Sequence, residues 1–154
     1  MEREVMDEVR IERFLWLAAG LSAAVGIVHL MVSPQYFSEW WGYGFFFIYA
    51  GLAQIAYALA IFVQPWLHDP PVAARNGPHS VMPAVYMGGA VGNLAIIALY
   101  IVTRTVGIPF LGPDAGAVEP ITPVSLIVTG AELILVGVLL NLARRARTGA
   151  GRTP

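Results

Sequence analysis

Cysteine is absent from this chain of 154 residues, which excludes a disulfide framework, a thiolate metal site, a Cys nucleophile and covalent haem attachment. Lysine is absent too, so all nine basic residues are Arg. Charge of either sign is scarce. Asp, Glu, Lys and Arg make up 12% of the residues, where a soluble domain of this size carries about a quarter. A formal net charge of −1 offers nucleic acid no basic surface. Apolar side chains fill the deficit, at 57% of the sequence with a mean hydropathy of +0.67. Water does not tolerate such a surface, so the composition reads as an integral membrane protein.

The apolar residues fall into four segments, 14–33, 45–66, 81–103 and 121–143. Each is about 20 residues long or slightly more, the length a helix needs to cross a hydrocarbon layer of ~30 Å. The expected fold is therefore an all-α, four-helix transmembrane bundle. Pro83 and Pro123 are placed in first turns, and Thr122 is positioned to cap the fourth helix. The stretch 1–13, "MEREVMDEVRIER", holds five acidic residues and three Arg, the wrong charge for a signal sequence. It reads as an amphipathic cytoplasmic lead-in to a transmembrane domain over 14–145, with 146–154 as a flexible tail.

Arginine placement sets the orientation. With both termini inside, Arg3, Arg10, Arg13, Arg75, Arg144, Arg145, Arg147 and Arg152 are cytoplasmic and only Arg104 is outside. That bias describes a multi-pass protein of a prokaryotic cell (inner) membrane. Trp16 and Trp66 then mark the inner interface, and Trp40 and Trp41 the outer one. The first outer loop, "PQYFSEWWGYG", reads as aromatic and flat on the headgroups. The second, "RTVGIPFLGPDAGAVEP", has three Pro and three Gly in seventeen residues and reads as a structured connection folded over the bundle mouth. Arg104 is expected to end its helix or to pair with Asp114 or Glu119. His68 and His79, in the inner loop, are read as exposed.

One residue breaks the apolar pattern hardest. "VTGAELILVGVLL" carries a carboxylate, Glu132, ~16 Å below the outer boundary by helical rise. Gln54 lies ~14 Å below the same boundary, and Asn93 is within a few ångström of that depth. An acidic residue in hydrocarbon costs roughly 2.5–3.5 kcal/mol, so the three are expected to face one another inside the bundle. The helical faces agree. Ser125 and Thr129 share a side with Glu132, Tyr86, Tyr100 and Arg104 one with Asn93, and Ser22, Gly26 and Ser33 one with His29. These stripes describe a polar vestibule opening outward. Its candidate ligand-binding residues are Glu132, Asn93, Gln54, His29, Arg104, Thr129 and Tyr100. For Gln54 and Asn93 the plainer reading is interhelical glue, at ~0.6 kcal/mol each.

Metal and cofactor signals are thin. His29 and Met31 are copper-type ligands, yet residues two apart on a helix point in nearly opposite directions. His29 alone remains as a metal candidate, with copper the possible ion. Only one of the three His lies within a span, which disfavours haem held by two axial His. No phosphate loop, catalytic Ser-His-Asp pattern or zincin motif is present. In the third span Ala84, Gly88 and Gly92 recur every four residues, a spacing that lets helices approach closely within the bundle or between copies.

"GNLAIIALYIVTRTVGIPFLGP", with Glu119 and Glu132 downstream, "GFFFIYAGLAQ" and a histidine near the end of the first span, resembles small four-span integral membrane proteins of GC-rich bacteria. The resemblance covers most of the chain and brings no assigned activity. Small multidrug transporters are less similar, because they carry their membrane glutamate in the first span.

The leading functional reading is a non-catalytic accessory subunit of the cell membrane that binds a ligand, a metal or a partner through the cavity. Its partners would be the bilayer, a second copy or a larger membrane complex. Two alternatives stand beside it. One is a small proton-coupled transporter using Glu132; the other is a redox or quinone-site subunit using His29, Tyr86 and Tyr100. An enzyme acting alone is least supported, since no nucleophile is paired with a base. The arginine count makes the orientation testable. Reporter fusions at residue 38, residue 115 and the C-terminus should read outside, outside and inside, and a cytoplasmic signal at residue 115 would reverse it.

Overall fold

The computed structural model describes residues 2–64 and 78–150. Four helices make up the fold: α1, Glu2–Glu39; α2, Trp41–Val63; α3, Pro78–Thr105; and α4, Pro123–Ala150. All four are long and apolar enough to cross a membrane, and no strand occurs among the described residues. Four spans in succession put the start of α1 and the end of α4 on the same side. Trp66, His68, Arg75 and Arg152 lie outside the described residues, as do the side chain of His79 and most of the inner loop.

Several boundaries differ from the sequence reading. α1 is one unbroken helix, so the acidic lead-in and the first span share an axis. Pro34 lies inside it and has no N–H to give to the Leu30 carbonyl. Ser33 Oγ donates to that carbonyl instead, at 2.9 Å, which lets the helix continue to Glu39. The expected flat loop shrinks to Trp40, whose extended backbone (φ −164°, ψ 137°) turns the chain directly into α2. α3 begins at Pro78, which leaves Pro83 inside the helix rather than in its first turn. α4 continues to Ala150, into the stretch expected to be a flexible tail. Its start is as expected: Thr122 Oγ1 accepts from the Ser125 N–H at 3.2 Å, and Ser125 Oγ accepts from the Thr122 N–H at 3.1 Å.

The helices pack as two pairs, α1 on α2 and α3 on α4, joined chiefly where α1 meets α4. α2 and α3 face each other across a seam with little backbone contact. Toward the chain termini the interior is apolar, built from Ala18, Ile61, Ala90, Leu135, Leu139 and Leu142. Above it, toward the 106–122 connection, polar side chains join the buried set: Ser22, His29, Ser33, Gln54, Asn93 and Glu132, beside Val25 and Ile97. Outward faces carry Trp16, Ile27, Met31, Leu52, Phe62, Leu94, Ile127 and Ile134, apolar surface suited to lipid. Met31 is 73% exposed where His29 is 4%, so the two point apart as the helical period requires.

The 106–122 connection folds onto the bundle. Gly107, Gly112 and Gly116 take positive φ of 68°, 82° and 84°. The Glu119 N–H donates to the Thr103 carbonyl at 2.9 Å, and Tyr43 Oη donates to the Leu111 carbonyl at 3.0 Å.

Within the chain, the close approach of helices does not use the Ala84, Gly88 and Gly92 stripe. Ala84, Gly88 and Gly92 are exposed, and nothing lies within 4 Å of where a Cβ on Gly88 or Gly92 would sit. Gly26 and Gly51 instead bring α1 and α2 together. A Cβ on Gly51 would lie 2.7 Å from the Gly26 carbonyl oxygen and 2.8 Å from Leu30 Cγ. Gly51→Ala should therefore cost about 1–3 kcal/mol of folding free energy in bicelles, because backbone must move. Gly88→Ala should be neutral or stabilising by up to about 1 kcal/mol. Equal costs would show that α1 and α2 do not cross at this pair.

Candidate functional site

Each helix sends one polar side chain to a common level. α1 contributes His29, α2 Gln54, α3 Asn93 and α4 Glu132, with relative exposures of 4%, 5%, 4% and 1%. Gln54 is the hub. Its Nε2 donates to Asn93 Oδ1 at 3.2 Å and, more weakly, to Glu132 Oε1 at 3.4 Å. Its Oε1 lies 3.0 Å from His29 Nδ1, and its backbone carbonyl accepts from Ser22 Oγ at 2.8 Å. Asn93 Nδ2 in turn donates to the Gly89 carbonyl at 2.8 Å.

These contacts fix the direction of the whole network. Asn93 spends its N–H on Gly89, so its oxygen faces Gln54 and must receive a donor. Gln54 therefore presents its amide nitrogen to Asn93 and Glu132, and its oxygen to His29. The imidazole must then carry a proton on Nδ1, because an oxygen acceptor stands there. That leaves His29 Nε2 facing Glu132 Oε1 at 3.9 Å. Both contacts of Glu132 run through Oε1, and Oε2 has no hydrogen bond among the described residues.

A cavity of about 350 Å³ rises from this pair toward the 106–122 connection. His29 and Glu132 form its floor. Its walls are mainly apolar and aromatic, including Val32, Phe46, Phe47, Leu99 and Val128. Tyr36 stacks on Phe47 with ring centroids 4.1 Å apart, and His29 lies 5.6 Å from Phe47, so an aromatic run descends to the floor. Thr129 is in the wall, as is Tyr100, whose hydroxyl is 3.2 Å from Ser125 Oγ.

Asp114, Glu119 and Arg104 line the upper part. Arg104 does not pair with either acid: no ion pair joins them among the described residues. Its guanidinium lies 5.1 Å from the Tyr100 ring centroid, Nη1 donates to Thr103 Oγ1 at 3.0 Å, and its buried Nε has no acceptor among the described residues.

Gln54 and Asn93 do not line this cavity. They line a second groove, of about 410 Å³, on the α2–α3 seam beside Ala50, Ala53, Gly88 and Gly92. The amide bridge and Ile96 thus stand between the two spaces. Tyr86 belongs to neither. It is 3% exposed in the apolar core, which separates it from His29 and Tyr100 and removes one member of the redox reading. Among the described residues no group of three or more His, Cys, Asp or Glu is placed to hold a metal.

Sequence reasoning passed over Tyr36, Tyr43, Phe46 and Phe47, all in the cavity wall. The two Phe sit in an unbroken apolar run, where hydropathy gives no sign of which face looks inward.

The hub predicts an uneven energetic map. Gln54→Leu strands Asn93 Oδ1 and His29 Nδ1 together and should cost about 2 kcal/mol in bicelle unfolding. Ser22→Ala removes one peripheral bond and should cost ~0.6 kcal/mol. A Gln54→Leu protein as stable as the parent would show that the network does not hold the helices. No family model matches the chain, and no match is found among curated proteins or solved structures.

Proposed function

We propose that this four-helix membrane protein is a binding subunit that holds a small molecule in the vestibule above His29 and Glu132, with Gln54 and Asn93 bracing the floor from behind. The observation that carries the reading is the buried Glu132 carboxyl, whose Oε2 has no hydrogen bond among the described residues while the residue lines an open cavity. An intramembrane carboxylate kept only for packing would spend both oxygens on neighbouring helices. At about 350 Å³ the cavity is within the range of small-molecule sites, and its apolar walls with few polar groups match their usual make-up. The Arg distribution supports an opening on the outer face of a cell membrane. Membership of the four-span proteins of GC-rich bacteria that the sequence resembles is part of the same reading. Neither catalysis nor a resident metal is needed for it.

Filling the cavity tests this. Thr129→Trp places an indole in the vestibule from a residue that makes none of the His29–Gln54–Asn93–Glu132 contacts. Native mass spectrometry of protein extracted from its own membranes should find a bound small molecule in the parent and none in this variant, with helix content unchanged by circular dichroism. A parent that carries no small molecule, or a variant that keeps it, would sink the reading.

A further inference from the structure

The vestibule's charge and lining say what kind of molecule suits it. Its ionisable wall comprises three carboxyl groups, Asp114, Glu119 and Glu132, against the guanidinium of Arg104 and the imidazole of His29. Glu39 stands within electrostatic reach of Asp114, Glu119 and Arg104 at the mouth. Acid outnumbers base from the entrance downward, and a cleft lined by one sign of charge concentrates the opposite ion. Between entrance and floor the surface is aromatic. Phe47 bridges Tyr36 and His29, and the face of such a ring attracts a cation within about 6 Å of its centroid. At the bottom is the Oε2 of Glu132, which has no hydrogen bond among the described residues.

An inorganic cation fits this lining badly. Hard divalent ions require six or more oxygen ligands, and transition metals several convergent donors. The floor offers one carboxyl and one imidazole, and no group of three or more metal-type ligands forms among the described residues. A cation that brings its own apolar shell needs no such set.

The floor also has a proton to trade. Gln54 Oε1 holds one proton on His29 Nδ1, which leaves His29 Nε2 and the Glu132 carboxyl as a facing pair. Ion and low-dielectric cost together favour a pair with no net charge, met when it holds one proton. A bound monocation satisfies the same condition when that proton is gone.

On these grounds, and resting on the binding reading above, we infer that the vestibule takes a hydrophobic organic monocation, such as a substituted ammonium, in exchange for one proton of the His29–Glu132 pair. The exchange balances. The O–H or N–H bond of the pair breaks and the proton leaves through the vestibule to water. The carboxylate that remains pairs with the incoming cation, and the floor stays neutral throughout. Among the described residues no other ionisable group lines the cavity beside Glu132 at this level. α2 and α3 present the amides Gln54 and Asn93, while Tyr36, Tyr43, Tyr100, Arg104, Asp114 and Glu119 stand higher in the cavity.

Two probes of one shape test the inference: benzyltrimethylammonium and its uncharged carbon isostere neopentylbenzene, each titrated into the protein in lipid nanodiscs. The cation should bind at least tenfold more tightly than the isostere. Calorimetry in buffers of differing ionisation enthalpy should show one proton released per cation bound, with affinity weakening about tenfold per pH unit on the acid side. Glu132→Gln should abolish the proton release. The double change Asp114→Asn with Glu119→Gln should weaken binding but keep the proton count. The experiment on the unmodified protein stands even where Glu132→Gln fails to fold. Equal binding of the two probes, a cation that does not bind, or cation binding without proton release would overturn the inference. A neutral or anionic molecule lost on Thr129→Trp would leave the vestibule as a binding site while removing the cation from it.

Discussion

The Gln54 carboxamide and its own backbone carbonyl touch all three other helices: His29 and Ser22 on α1, Asn93 on α3 and Glu132 on α4. Apolar burial gives helices in lipid little reason to associate, since the tails are as apolar as leucine. Close packing and interhelical hydrogen bonds must do it. Here the packing is concentrated at Gly26 and Gly51 between α1 and α2, and in the apolar core near the termini. The hydrogen bonds are concentrated in one side chain. Removing any single member changes what the others face, the condition under which such a network acts as a unit.

That arrangement explains the open seam. α2 and α3 have little backbone contact and meet through side chains: the Gln54–Asn93 bond, and Tyr57, which donates to the Val85 carbonyl at 3.1 Å over Gly89. Space remains on both sides of the bridge. The vestibule lies toward the folded connection, and the groove opens beside Gly88 and Gly92. Small residues there leave the surface of the single chain concave. Their exposure follows from the pairing of helices, which uses α3's other face against α4.

The vestibule itself is assembled from all parts of the chain. Its floor comes from α1 and α4, and its aromatic side from α1 and α2 around Trp40. Its cover is the connection that three positive-φ glycines bend back over the opening. A longer, looser first loop would have moved Tyr43 away from Leu111 and left the cover unsupported. Pro34 could have broken α1 before that turn, and the Ser33 hydroxyl takes up the carbonyl it abandons.

Much of this was legible without coordinates, for definite reasons. Hydrocarbon thickness and helical rise fix how long an apolar run must be, so four spans follow from counting. The same rise sets depth, which put Gln54, Asn93 and Glu132 at one level before any contact was known. Helical period put Met31 opposite His29. Which groups bond is a different kind of fact. Its own helix marks His29 only as a polar residue on a stripe with Ser22 and Ser33, and it reaches the floor because α1 packs against both α2 and α4. Arg104 and Glu119 are near in sequence pattern but not paired, since the backbone of Glu119 is held by Thr103 while the guanidinium turns onto Tyr100. Phe46 and Phe47 carry no mark of their inward face, because every residue around them is equally apolar. Sequence determined length, depth and period, the quantities one helix possesses alone. Partnership across helices, the tautomer of His29 and the enclosure of the cavity were decided by the tertiary structure, because each depends on how separate helices are rotated about their own axes.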